Sequence, residues 1–238
     1  MQERHQNRSK YFDEQVYTTG KYVIPFLSSS MAINKDSRIL EIGCGEGGNL
    51  KPFLDMGCDC VGVDLSESKI EKGIVTFSDD PNGDRIKLIC EDIYKTQNIG
   101  KFDLIILRDV IEHIHDQEKF MSGVGQFLTS TGKIFFGFPP WYNPFGGHQQ
   151  ICQSKILSKL PWFHVLPMPI YKWILRAFGE PEERVEGLAE IKDTGITLER
   201  FERILKRTGF KVDQRHLFLF NPNYEIKFGV KPRKQFAL

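Results

Sequence analysis

A chain of 238 residues with 40% hydrophobic and 26% charged residues has the composition of a folded globular protein and is too apolar for a disordered one. Its 32 Lys and Arg nearly cancel 31 Asp and Glu, so no global field draws it toward a phosphate backbone, and nothing in the charge favours nucleic acid as a partner. Five cysteines, with no second Cys or His pair at zinc spacing beside Cys58 and Cys60, suit a reducing cytoplasm better than a disulfide framework or a zinc knuckle.

The first residues, MQERHQNRSKYFDEQ, are polar and mixed in charge, unlike the apolar stretch of a secretory signal, and a cytoplasmic location is expected. Residues 9–29 carry helical periodicity. Five apolar runs of strand length follow: RILEIG (38–43), DCVGVDL (59–65), IKLICEDI (86–93), FDLIILRDV (102–110) and GKIFFGF (132–138), each bounded by Gly, Asp or Pro. The segments between them, 47–57, 66–78 and 114–130, can hold helices. Alternating strand and helix calls for a parallel sheet covered on both faces. Residues 139–193 break that rhythm with Pro and aromatics and read as an insertion. Its most apolar part, 161–178, holds three prolines, His164, Lys172 and Arg176, and is too interrupted to span a bilayer. TLERFERILKRTGF (197–210) restores helical spacing, with Thr197 placed to cap it. KVDQRHLFLF and YEIKFGV then read as two closing strands joined by Asn-Pro-Asn (221–223).

The chemistry concentrates where the first strand enters Gly43, Gly45, Gly47 and Gly48. Glycines allow positive φ and close approach of a ligand, and the helix expected from about Asn49 offers free N–H groups. Gly43, Gly45 and Gly48 satisfy G-x-G-x-x-G, and Asp64 lies where a ribose-binding acid belongs, so NAD and S-adenosylmethionine both fit. Glu41 separates them: a carboxylate two residues before the first glycine gains nothing beside an anionic pyrophosphate but does beside a cationic sulfonium and ammonium.

E-I-G-C-G-E-G, followed in order by V-G-V-D-L-S and C-E-D-I, resembles the motifs of class I S-adenosylmethionine-dependent methyltransferases over roughly residues 36–138 and 195–230, and among them resembles the ubiquinone-type small-molecule enzymes (methyltransferase type 11/12). That resemblance implies a single domain over 1–238 with a seven-stranded, mostly parallel sheet in three αβα layers, an antiparallel C-terminal hairpin and a lid inserted after the fifth strand. It implies cofactor contacts at Glu41, Gly43, Cys44, Gly45, Asn49, Asp64, Leu65, Ser66, Asp92, Ile93, Arg108 and Asp109, with Asp64 on the ribose and Asp92 on the adenine amino group.

The fourth strand ends in R-D-V-I-E-H and lacks the N/D-P-P-Y sequence of base N-methylases. D-V-I-E-H resembles the matching segment of ubiquinone-type O-methyltransferases and also the E-x-x-E-H metal cluster of small-RNA 2′-O-methyltransferases. Three readings stand beside one another: a helix-start and packing role, which ranks first; a general base at His113 or His148; and a divalent ion held by Asp109, Glu112, His113 and His148. The first acid is Asp where that cluster has Glu, which weakens the metal reading. FPPWYNPFGGHQQ (138–150) brings Trp141, Tyr142 and Phe145 into consideration as acceptor contacts, with Tyr11 from the N-terminal helix. The expected activity is methylation of a small molecule, on oxygen. Its rivals are a metal-dependent RNA 2′-O-methyltransferase, a cofactor-binding protein without catalysis, and an NAD-dependent oxidoreductase.

Overall fold

The computed structural model describes residues 8–235. Helix α1 (Arg8–Thr18) runs through a π turn (Thr19–Val23) into α2 (Ile24–Ser28), where Pro25 fits the first helical turn because that N–H needs no intrahelical partner. Strands β1 (Arg38–Ile42), β2 (Asp59–Asp64), β3 (Ile86–Cys90), β4 (Phe102–Arg108) and β5 (Leu128–Gly137) form one sheet in the order β3-β2-β1-β4-β5. The β1–β2, β2–β3 and β1–β4 pairs are parallel. Between the strands lie α3 (Lys51–Asp55), α4 (Glu67–Ser78) and α5 (Gln117–Val124).

Strand order reverses at β1, where chain growth moves from β2–β3 on one side to β4–β5 on the other. In open α/β sheets the ligand crevice opens at the carboxyl ends of the strands on such a switch point. β1 and β4 are fully apolar at their centres, as strands covered on both faces must be: Ile39, Leu40, Leu104, Ile105 and Ile106 are completely buried. One core joins these strands to Leu50, Phe53, Leu54, Ile70 and Phe77 from the connecting turns and helices.

The described residues divide into two compact units, one comprising 8–107, 124–135 and 211–235, the other 108–123 and 136–210. The second contains the insertion. Residues 139–193 are more regular than their composition suggests, forming α6 (Met168–Ala177) and α7 (Glu182–Thr194) after a series of short 3-10 turns. They bury a core of their own from Cys152, Leu157, Phe163, Tyr171, Leu175, Val185 and Leu188. In the same unit α8 (Leu198–Arg207) begins as its sequence implies, with the Thr197 hydroxyl accepting from the Arg200 N–H at 3.1 Å.

The main sheet has five strands, not seven. The alternating residues of YEIKFGV, read as a strand, form helix α9 (Asn223–Phe228). The Asn221 side chain accepts from the Asn223 N–H at 3.0 Å, Pro222 fixes the entry, and Gly229 closes the helix at φ 68°. The helical turn brings the Glu225 carboxylate to Tyr22 and Lys21, contacts that carry more than a marginal two-stranded ribbon would. An antiparallel pair does close the chain, but from β6 (Phe218–Phe220) and β7 (Arg233–Lys234) as a separate two-stranded sheet. No helix among the described residues is long and apolar enough to cross a membrane.

Candidate functional site

In the sheet unit, the turn after β1 is built from three glycines at positive φ: Gly43 (72°), Gly45 (57°) and Gly47 (86°). A Cβ on Gly47 would stand 2.8 Å from the Phe77 ring, so side chains are excluded there by space as well as by conformation. One on Gly45 would meet only the Lys69 side chain, at 3.7 Å, so the face of the turn at Gly45 is open to a ligand. The helix behind the turn begins at Lys51, two residues later than expected, because residues 47–50 form a tight turn with Leu50 and Lys51 both donating to the Gly47 carbonyl.

Glu41 is 0% exposed and sits mid-sheet, opposite Gly62 on β2 and Ile106 on β4. Its Oε1 accepts from Asn49 Nδ2 at 2.6 Å, and Asn49 Oδ1 accepts from the Thr19 hydroxyl at 3.0 Å. The carboxylate therefore lies beneath the turn and orients Asn49, tying β1 to the N-terminal helical segment. Thr19 was not singled out by its sequence; only the fold shows why a hydroxyl is buried there. Cys44 is buried, and the burial, with the Glu41 and Asp64 charges, pushes its thiol far above the ordinary range, so it is an inert packing group.

Asp64 ends β2 and ties the glycine turn to the start of α4. Its Oδ2 accepts from the Gly45 N–H and its Oδ1 from the Ser66 N–H, each at 2.8 Å. Leu65 beside it is 75% exposed. Asp92 follows β3, its Oδ1 accepting from the Tyr94 N–H at 3.0 Å and its carbonyl from Lys95 and Thr96, while Ile93 next to it is half-buried. Tyr11 lies on α1 and is exposed. Over the turn itself, α1 presents Phe12 and Gln15 so closely that a Cβ on Gly48 would meet them at 2.9 and 2.7 Å.

In the insertion unit, Glu112 and His113 occupy a 3-10 turn (Ile111–His113) instead of the first turn of a longer helix. That turn is pinned by Gln117, whose amide donates to the Ile111 and Thr194 carbonyls at 3.0 and 2.6 Å. His148 approaches His113 edge to face, with ring centroids 5.1 Å apart. Both Asp109 and His148 take left-handed backbone (φ 54° and 55°), uncommon for residues other than glycine and a mark of positions held by their surroundings. The Asp109 N–H donates to Gly137 at 2.7 Å. One carboxylate oxygen of Glu112 and a ring nitrogen from each of His113 and His148 all lie within 4.8 Å of one another; Asp109 is not in that group. Burial, reinforced by the Asp109 charge, pushes the Glu112 carboxyl up to about 9. Arg108 and Asp109 belong to this unit, whereas the other expected cofactor residues belong to the sheet unit.

Among the aromatics, Trp141 is spent on internal packing. Its backbone N–H donates to the Ile196 carbonyl at 2.8 Å, its ring lies edge-on to His164 at 4.5 Å, and the Lys192 ammonium stands 5.2 Å from its centroid. Tyr142 is 64% exposed and Phe145 half-buried, and the Phe145 carbonyl accepts from the His148 N–H.

A family model described as a methyltransferase domain matches residues 12–164. The ubiquinone biosynthesis O-methyltransferase of Rhizobium etli is 32% identical over 186 residues, 78% of this chain and 64% of the relative. That of Coxiella burnetii is 27% identical over 130 residues, 54% of this chain and 48% of the relative, so the chain spans about half the length of the latter. Two solved structures share the fold: an N-methyltransferase of Haemonchus contortus with S-adenosylhomocysteine bound (TM-score 0.58, 20% identity, 85% of this chain and 39% of that one) and a plantazolicin methyltransferase (TM-score 0.52, 15% identity, 90% and 69%).

Proposed function

The chain belongs to the methyltransferase-domain family, a class I fold that works with S-adenosylmethionine, and from that premise we propose that it methylates an oxygen of a small molecule. The observation that carries the cofactor side is the pairing of a fully buried Glu41 beneath an open glycine turn with an Asp64 carboxylate gripping that turn at Gly45. A carboxylate under the turn suits a cationic ligand and opposes a pyrophosphate. The residues that would hold the cofactor are Glu41, Gly43, Cys44, Gly45 and Asn49 on the methionine side, Asp64, Leu65 and Ser66 on the ribose, and Asp92 and Ile93 on the adenine. Arg108 and Asp109 are proposed to join them.

S-adenosylmethionine supplies a methyl carbon on a cationic sulfur: the acceptor's O–C bond forms as the S–CH3 bond breaks, the electron pair stays on sulfur, and the hydroxyl proton is released. The work left to the chain is alignment, exclusion of water and removal of that proton. His113 and His148 are the proposed bases, and Tyr11, Tyr142 and Phe145 the proposed acceptor contacts, Trp141 being taken up by packing within the insertion. Oxygen as the acceptor atom is supported by the names of the Rhizobium and Coxiella relatives.

The test is calorimetric titration with S-adenosylmethionine and with NAD, followed by turnover across phenols, hydroxy acids and amines, scored as S-adenosylhomocysteine formed. The expected result is tight binding of the first cofactor only, with turnover on a hydroxyl. Tighter binding of NAD overturns the cofactor reading. Turnover confined to amines overturns the oxygen reading, and cofactor binding without turnover on any acceptor overturns catalysis.

A further inference from the structure

Thr19, Asn49 and Glu41 are each buried, and they form one chain of hydrogen bonds: the Thr19 hydroxyl donates to Asn49 Oδ1 at 3.0 Å, and Asn49 Nδ2 donates to Glu41 Oε1 at 2.6 Å. The direction of the chain is set by its end. An ionised carboxylate only accepts, so the amide turns its nitrogen to Glu41 and leaves its oxygen to face a group that can donate. A hydroxyl at position 19 meets that need, and a valine of nearly the same volume would not.

A local widening of the N-terminal helical segment brings Thr19 there. The Ile24 N–H donates to the Thr19 carbonyl, five residues back, closing the π turn, while the preceding Thr18 hydroxyl turns back on the Glu14 carbonyl at 2.8 Å. Such π turns are rare inside helices and recur at functional positions. The same segment is seated on either side of Asn49: a Cβ on Gly48 would meet the Phe12 carbonyl at 2.9 Å, and one on Gly20 would touch the Pro52 side chain at 4.0 Å. The bond from Thr19 to Asn49 is therefore held by backbone packing before and after it in the chain.

We propose that Thr19 is a positioning residue for the amino-acid end of the cofactor: by fixing the Asn49 amide it holds the Glu41 carboxylate in the orientation that receives the ammonium group. This rests on the reading that places Glu41 on the methionine side of S-adenosylmethionine. A carboxylate already held in place loses no rotamer freedom when the cation arrives, whereas one whose amide partner has lost its anchor must be ordered first. The effect is confined to ligands that carry the amino acid, because the adenosine part is served by Asp64 and Asp92.

The experiment titrates the parent chain, Thr19→Val and Thr19→Ser calorimetrically with two ligands. S-adenosylhomocysteine carries the amino acid; 5′-methylthioadenosine has the same adenosine and a thioether sulfur but no ammonium or carboxylate. Thr19→Val should weaken S-adenosylhomocysteine about 10-fold, the loss of one buried hydrogen bond, and leave 5′-methylthioadenosine within about 2-fold of the parent. Thr19→Ser, which keeps the donor, should restore the first affinity. Circular dichroism verifies folding, and Thr19→Ala takes the place of Thr19→Val should the latter not fold. Undiminished binding of S-adenosylhomocysteine by Thr19→Val, equal weakening of both ligands, or failure of serine to restore the affinity overturns the assignment of Thr19 alone. A parent chain that binds no S-adenosylhomocysteine overturns the cofactor reading, and the role of Thr19 with it.

Discussion

Replacing Asp64 with alanine removes two hydrogen bonds from backbone N–H groups to a carboxylate, at Gly45 and Ser66, both 2.8 Å long. Hydrogen bonds to charged groups contribute about 1.5–3 kcal/mol each, and half-exposure of Asp64 argues for the lower end, so the folded state should lose about 3 kcal/mol. If the same carboxylate also takes the two ribose hydroxyls, cofactor binding loses a further ~3 kcal/mol, about 100-fold in Kd. Thermal denaturation of the ligand-free variant and calorimetric titration with S-adenosylhomocysteine separate these losses. Glu71→Ala, an exposed acid on α4, is the control expected to change neither. An Asp64→Ala variant with lowered melting temperature but a Kd within about 2-fold of the parent would refute the ribose assignment and leave Asp64 a brace for the turn.

Three other outcomes follow from the packing. Gly62→Ala would drive a methyl group to 2.7 Å from Cys44 Sγ and from Leu88 Cδ2 inside a filled sheet, and should cost about 1–3 kcal/mol by chemical denaturation; a neutral result would mean that the β2–β3 layer is looser than drawn. Thr197→Ala deletes the cap of α8 and should cost about 1 kcal/mol, whereas Thr197→Ser should restore most of it. His164 is buried, its Nε2–H donating to the Trp141 carbonyl at 2.7 Å, and burial holds its pKa below 6.5 with the nearby Lys192 charge acting the same way. The unfolded chain then takes up that proton first, so stability is full above about pH 6.5 and falls as pH drops toward the folded value. Melting temperatures measured from pH 8 to 5 should show this decline, and a flat profile would argue against a neutral buried imidazole.

The five strands were legible because each is a short apolar run closed by Gly, Asp or Pro, and the fold puts the glycine turn directly after β1 and Asp64 at the end of β2, hydrogen-bonded to it. What misled at the C-terminus was local: Tyr224, Ile226 and Phe228 alternate as in a strand, but Asn221 and Pro222 start a helix and Glu225 anchors it to Tyr22 and Lys21, more than 200 residues away in sequence. Period-two alternation over so few residues does not outweigh a cap and a long-range ion pair. Glu41 was recognised as important but not for its partner, since Asn49 becomes its neighbour only when the turn folds back on β1. The run D-V-I-E-H gave the residue types around Glu112, but not that Asp109 would be left out or that a 3-10 turn would replace a helix start. Those outcomes depend on Gln117 and on the glycines before His148, none of which carries a sequence signature.

The separate core of the insertion bears on how such a protein can diversify. Cys152, Phe163, Tyr171, Leu175, Val185 and Leu188 satisfy one another, so substitutions at exposed neighbours such as Tyr142, Trp162, Ile170 and Trp173 draw little on the packing beneath the glycine turn. Effects at positions without shared partners add nearly independently. A library confined to those four side chains should therefore leave the melting temperature nearly constant while it tests whether they touch an acceptor at all, a separation that a loop lacking its own interior would not offer.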